Sequence, residues 1–181
     1  MRVISGKLRG KRLEMLKENA VRPTTDKVKE SIFNVIQFNV VGASFMDLFA
    51  GSGQIGIEAL SRGAQTATFV DQNRHAIDVV RRNLASTSLL ERADVVQKDA
   101  ISFLRQTRSR FDIAFLDPPY KTGILQKVLD IVSDVMSECG IIICEHPAEE
   151  ILPENIKKFG VSKSYKYGKI MLTVYRRERL K

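Results

Sequence analysis

From Ser44 onward, short apolar runs alternate with amphipathic segments, and this alternation limits the possible folds more than any other feature of the chain. Ser44 to Phe49, Thr66 to Asp71, Asp94 to Gln97, Phe111 to Asp117 and Gly140 to Glu145 read as strands. Between them, Gln54 to Ser61, Arg74 to Leu84, Ala100 to Gln106 and Thr122 to Met136 read as helices. Within 74–84 the inward set is Ala76, Ile77, Val80 and Leu84; within 122–136 it is Ile124, Leu125, Val128, Val132 and Val135. Repetition of this kind builds an α/β protein with a mostly parallel sheet and helices on both faces. Ile113 to Leu116 are apolar without alternation, as in a strand covered on both sides. Near the end, Lys169 to Arg176 is β-rich but alternates less cleanly.

Open sheets of this type place ligands at the carboxyl ends of their strands, and several of these strands end in acids. The run Asp112-Ile-Ala-Phe-Leu-Asp-Pro-Pro-Tyr120 leaves the sheet abruptly at Asp117. Pro118 and Pro119 have no N–H to donate to a ladder. The resulting stiff turn exposes a carboxylate, backbone carbonyls and the ring of Tyr120 together. Asp47 precedes a second turn, Phe49-Ala50-Gly51-Ser52-Gly53-Gln54-Ile55-Gly56, which matches G-x-G-x-x-G between a strand and a helix. Asp71 closes the next strand, where an acid accepts hydrogen bonds from ribose hydroxyls. Asp99, with Ala100 beside it, follows the third strand and is placed either to hydrogen-bond the amine of an adenine or to cap a helix. A carboxylate at position 47 would repel a pyrophosphate and suits a cationic ligand. S-adenosylmethionine, with its sulfonium and amino groups and no phosphate, meets that requirement.

Charge separates the ends of the chain from its middle. Residues 1–22 hold seven Lys/Arg and two Asp/Glu, residues 157–181 hold nine and one, and residues 23–156 hold thirteen and eighteen. A mildly acidic body between two basic ends favours a polyanionic partner, most simply nucleic acid. In the first stretch Arg2, Lys7, Arg9, Lys11 and Arg12 stand among Val3, Ile4, Leu8 and Leu13, with Gly6 and Gly10 as turn points. This reads as a short β-hairpin or an extended arm, basic on one side and able to approach a phosphate closely at its glycines. Next, Val21-Arg22-Pro23-Thr24-Thr25-Asp26 leads into a helix capped by Thr24 or Thr25. Val28, Ile32, Val35 and Ile36 share its apolar face, and Lys27, Lys29 and Glu30 occupy the others. Cys139 and Cys144 make neither a disulfide framework nor a metal site. No apolar run approaches the ~20 residues that span a bilayer, and Met1 to Lys7 lacks the apolar core of a secretory signal. A cytoplasmic protein with no membrane partner and no metal is expected. His75 and His146 read as surface or structural residues.

Taken together, these segments resemble a known family. The order of motifs is similar to that of the class I S-adenosylmethionine-dependent methyltransferases, and Asp-Pro-Pro-Tyr resembles the motif of enzymes that methylate exocyclic amines of bases. Arg22-Pro-Thr-Thr-Asp26, Asp47-Leu-Phe-Ala-Gly-Ser-Gly53, Leu116-Asp-Pro-Pro-Tyr120 and the arm Ser5-Gly-Lys-Leu-Arg-Gly10 resemble the RsmD family of bacterial 16S rRNA guanine-N2 methyltransferases, over almost the whole chain. The chain departs from it mildly, with Asp71 where the family often has Glu and Lys29 where Arg is common. The resemblance implies a Rossmann-like methyltransferase fold, doubly wound, with a mostly parallel seven-stranded sheet. It implies a basic N-terminal hairpin over 1–22 and a methyltransferase domain over 23–181. It assigns S-adenosylmethionine to Thr24, Asp47, Phe49, Ala50, Gly51, Ser52, Gly53, Asp71, Gln72, Asp99 and Ala100. Catalysis falls to Asp117, Pro118, Pro119 and Tyr120, and RNA binding to Lys7, Arg9, Lys11, Arg12 and Arg22. The expected substrate is 16S rRNA of the small ribosomal subunit, and the expected state a monomer. The competing readings are an N6-adenine methyltransferase of DNA or RNA, which shares the amine chemistry, and a nucleic-acid-binding protein with a vestigial fold. A nicotinamide oxidoreductase leaves Asp117-Pro-Pro-Tyr unexplained.

Overall fold

The computed structural model describes residues 1–16, 25–120 and 122–177. Helix α1 spans Asp26–Val35, and the alternating region follows as β1 (Ser44–Asp47), α2 (Gln54–Ser61), β2 (Thr66–Asp71), α3 (Arg74–Ser86), β3 (Ala93–Gln97), α4 (Ala100–Gln106), β4 (Phe111–Leu116), α5 (Ile124–Val132) and β5 (Met136–Pro147). Three further strands follow among the described residues: β6 (Asn155–Ile156), β7 (Phe159–Tyr167) and β8 (Ile170–Arg177). All lie in one sheet of order β3-β2-β1-β4-β5-β8-β7-β6. The pairs from β3 through β5 are parallel, and those made by β8, β7 and β6 are antiparallel. Among the described residues, seven strands have four or more residues and the eighth, β6, has two. Strand order reverses between β1 and β4, which puts the switch point, and hence the ligand crevice, at the carboxyl ends of these two strands.

The unbroken apolar runs are explained by two cores, one on each face. One packs Phe45, Phe69, Ile113, Phe115, Ile141 and Ile143 under α1, α2 and α3. The other packs Met46, Val70, Ala114, Leu116, Ile142 and Cys144 under α4 and α5. Central strands are thus buried on both sides, as parallel sheets require. Helix ends follow local chemistry: Thr25 caps α1 through Val28 N–H, Asn73 caps α3 and Asp99 caps α4. The expected helix 122–136 is shorter, because Ser133–Val135 tightens into a 3-10 turn and Met136 already belongs to β5. Strand β7 is absent from the sequence reading. Its exposed Val161, Ser162, Lys163, Ser164 and Lys166 hide the alternation that Tyr165 and Tyr167 would otherwise show.

Lys29 corrects the sequence reading of α1. It does not face solvent; it is fully buried, with Nζ donating to the Arg2 carbonyl at 2.7 Å and lying 3.7 Å from the Glu58 carboxylate. Burial lowers its pKa, and Glu58 works against that shift. Glu58, also fully buried, accepts from Ile4 N–H at 2.8 Å, Ser5 N–H at 2.9 Å and Arg62 Nε at 2.8 Å. A buried ion pair contributes little net energy, but it fixes where the groups around it must sit. Here those groups are the N-terminal residues. Val3 and Leu13 join the core shared by α1 and α2, and a bridge between Arg2 and Arg12 makes the arm hairpin-like. Gly6, at φ +81°, presses on α2: a Cβ there would come within 2.0 Å of the Ser61 carbonyl oxygen. Lys7 N–H donates to that same oxygen at 2.9 Å.

Candidate active site

The chain leaves β1 at Asp47 and turns into α2 through residues tied to both neighbouring strands. Leu48 N–H donates to Phe115 O at 3.1 Å, and Ala50 N–H donates to Val70 O at 2.9 Å. Gly51 and Gly53 take positive φ angles, +53° and +78°, which side chains rarely adopt. Gly56 serves a different need: a Cβ there would fall 2.3 Å from the Phe69 ring, so its absence lets α2 lie close on the sheet. Phe49, Ser52 and Gly51 are half-buried and Ala50 and Gly53 buried, all within this turn.

Acids surround the turn. Asp47 is buried, and its Oδ2 accepts from Gly56 N–H at 3.1 Å. Burial pushes its carboxyl up to about 7; the Gly56 N–H pulls the other way, and the charge of Asp71 adds to the rise. Asp71 braces the turn, with Oδ2 accepting from Gly51 N–H at 2.9 Å and Oδ1 from Asn73 N–H at 2.8 Å. Gln72 beside it is exposed. Asp99 is exposed, and its Oδ1 accepts from Ser102 N–H at 2.9 Å, so the helix-cap role is present whatever else it does. Hydrogen bonds from Ser102 hold its pKa low. Ala100 is buried behind it.

Asp117 lies just past the end of β4, half-buried. Its pKa is raised well above the usual carboxylate range by burial first, then by the charges of Glu145 and Asp47. Pro118 is buried, while Pro119 and Tyr120 are exposed. Thr122 Oγ1 donates to the Pro119 carbonyl at 2.8 Å and holds the turn. A small pocket opens between Pro118, Pro119 and Tyr120 on one side and Glu145, His146 and Pro147 on the other. The sequence reading passes over Glu145. It closes an apolar strand as Asp117 closes another, and that shared pattern was the available signal. His146 is buried, with Nε2 2.9 Å from Thr173 Oγ1, as a structural residue would be.

The structure thus brings Asp47, the glycine turn, Asp71 and Asp117 to one edge of the sheet. The expected RNA-binding residues are spread out. Lys7, Arg9, Lys11 and Arg12 are all exposed. The arm runs along α2, from the glycine turn, where Leu16 packs 3.8 Å from the Cβ position of Gly51, to Ser61 at the far end. At 1.5 Å per residue α2 is ~12 Å long, so Lys7 lies well away from Asp117. Arg22 and Thr24 are outside the described residues. Among the described residues, no group of three or more His, Cys, Asp or Glu could hold a metal ion. No helix among them is long and apolar enough to cross a membrane.

Comparison with known proteins then bears on what this edge serves. Residues 1–176 match the family model described as "Conserved hypothetical protein 95". Ribosomal RNA small subunit methyltransferase D of Escherichia coli strain K12 is 34% identical over 180 residues, covering 98% of this chain and 90% of that protein. The chain belongs to the RsmD family. YlbH of Bacillus subtilis strain 168 is 41% identical over 182 residues, covering 98% of this chain and 99% of that one. The solved structure of yhhF from Escherichia coli is similar with a TM-score of 0.89 at 34% identity, covering 98% of both chains. As a member of the RsmD family, the chain has a methyltransferase fold along its full described length, with the arm included in the match.

Proposed function

We propose that this protein methylates the N2 amine of a guanine in 16S rRNA of the small ribosomal subunit, using S-adenosylmethionine. Membership of the RsmD family supports rRNA methylation. The observation that carries the chemistry is the placement of Asp117-Pro-Pro-Tyr beside Asp47 and the glycine turn at the switch point. The residues present fit the cofactor: a turn that exposes backbone, flanked by a buried carboxylate at Asp47 and a second at Asp71, suits a cation and disfavours a phosphate. S-adenosylmethionine supplies an electrophilic methyl group on sulfur. Asp71 would hold the ribose hydroxyls, Asp47 the amino acid portion, and Asp99 with Ala100 the adenine. Thr24, Phe49, Ala50, Ser52 and Gln72 complete the proposed cofactor set.

The rest of the chemistry is assigned to Asp117 and its neighbours. A guanine N2 lone pair is delocalised into the ring, and the amine must pyramidalise before it attacks. Asp117 and the Pro118 carbonyl would accept its two N–H bonds, favour that geometry and stabilise positive charge developing on nitrogen. Tyr120 would stack on the base, a contact worth about 1–3 kcal/mol. Orienting the amine in line with the departing sulfur supplies much of the rate. The base must be splayed from its helix to reach the pocket. Exposed Lys7, Arg9, Lys11 and Arg12, with Arg22, would hold phosphates as an arm over 1–22 on a methyltransferase unit over 23–181. Exposed Lys163, Lys166 and Lys169 would do the same from β7 and the turn after it. A monomer acting in the cytoplasm fits this reading.

The test is methylation of small subunits, and of naked 16S rRNA, from a strain that lacks this protein, followed by mass analysis of the nucleosides. N2-methylguanosine is expected; N6-methyladenosine, or no product, would overturn the reading.

A further inference from the structure

Three carboxylates lie along one face of the sheet at its carboxyl edge. In the parallel pairing of β4 with β5, Leu116 stands opposite Cys144. Glu145 follows Cys144 on β5, on the face of Ile143, and Asp117 follows Leu116 just past the end of β4, near enough for the charge of Glu145 to act on it. Asp47 lies on that face too, opposite Phe115. Glu145 is only 2% exposed. It lines the small pocket together with Pro118, Pro119 and Tyr120, and it is the first charge to act on Asp117.

Purine bases differ at the atom next to the reactive amine. In guanine the N2 amine neighbours N1–H, a donor; in adenine the N6 amine neighbours N1, an acceptor. An ionised carboxylate only accepts. If Asp117 and the Pro118 carbonyl take the two amine hydrogens, an acceptor one strand over meets the ring position beside the amine. It is attractive toward guanine and repulsive toward adenine. We propose that Glu145 is the specificity-determining residue, its carboxylate accepting the N1–H of the guanine whose amine faces Asp117. This rests on the proposed N2 chemistry and adds to it the means by which the base is chosen.

The experiment uses 2-aminopurine, which keeps the exocyclic 2-amine but carries a lone pair at N1. Reconstituted small subunits with guanine or 2-aminopurine at the mapped target are methylated by the wild-type protein and by Glu145→Gln. A Gln amide accepts from N1–H and also donates to an N1 lone pair. The ratio of kcat/KM for guanine over 2-aminopurine should fall at least about tenfold in the variant, one base-edge hydrogen bond's worth of discrimination. Comparing ratios cancels the intrinsic difference between the two amines. A ratio unchanged within about twofold overturns the proposal, even if both rates drop, since a purely structural role would lower them together. Cofactor calorimetry shows whether the variant is folded. If it is not, Glu145→Asp takes its place, and equal loss on both bases overturns the proposal. A wild-type product of N6-methyladenosine would instead defeat the N2 reading itself.

Discussion

Asp47 and Asp117 are held in opposition to their own charge. Asp47 keeps its proton up to about pH 7, against an ordinary value of 3.8. Between those values the folded chain binds more protons at this site than the unfolded chain. Its contribution to stability therefore falls as pH rises through that window and is level above it. A cationic cofactor reverses the preference, because it favours the ionised form. Affinity for S-adenosylmethionine should therefore rise from pH 6 to pH 8, with proton release on binding at the lower pH. Calorimetry in two buffers of different ionisation enthalpy would measure both, and Asp47→Asn should remove the dependence. At Asp117 the expected outcome is different: Asp117→Ala should keep cofactor binding and lose about 10²–10³ in turnover. Near-wild-type turnover in single-turnover assays would exclude the proposed role. Asp71→Ala should weaken the cofactor by about 1.5–3 kcal/mol per lost hydrogen bond to the charged group, read by calorimetry.

At the level of elements, the arm is held by chemistry that a linear reading misses. Glu58 gathers Ile4 N–H, Ser5 N–H, Arg62 and Lys29 into one buried cluster. Glu58→Ala would leave a buried ammonium without its carboxylate, and should cost about 3–5 kcal/mol in urea unfolding. The same change should speed hydrogen exchange at the Ile4 and Ser5 amides. Helices α2 and α4 and strand β2 were legible to the residue, because their apolar spacing and caps are local. Asp47, Asp71 and Asp117 were legible as acids closing apolar strands. Lys29 was not, since its partner is 29 positions away and a lysine amid polar neighbours carries no sign of burial. Gly6 was read as a point of approach to phosphate, whereas its packing against Ser61 depends on a helix that starts nearly fifty residues later.

For the whole molecule, the question is how a basic surface is joined to an acidic pocket. The exposed cations of the arm lie on the α2 side, while Lys166 on β7 and Lys169 in the turn after it lie beyond β5 and β8, toward the carboxyl end of β5. RNA held by both would straddle the site. Replacing Lys7, Arg9 and Arg12 together by Gln should flatten the salt dependence of RNA binding by about 2 in log–log slope, if each meets one phosphate. An unchanged slope would remove the arm from the interface. Cofactor binding should not change, because all three side chains are exposed on the arm.

The order of the strands also bears on how the protein is made. β8, the last strand among the described residues, pairs with β5 and covers Ile141 to Pro147. Until residues 170–177 have left the ribosome, that stretch of β5 is an open edge on the nascent chain. Such an edge is a template for pairing with other chains. Synthesis that stalls between β5 and β8 should therefore yield a product prone to aggregate, and extending the product through β8 should relieve this. Since β8 also shields the end of β5 that carries Glu145, the pocket can close only after β8 itself has been made.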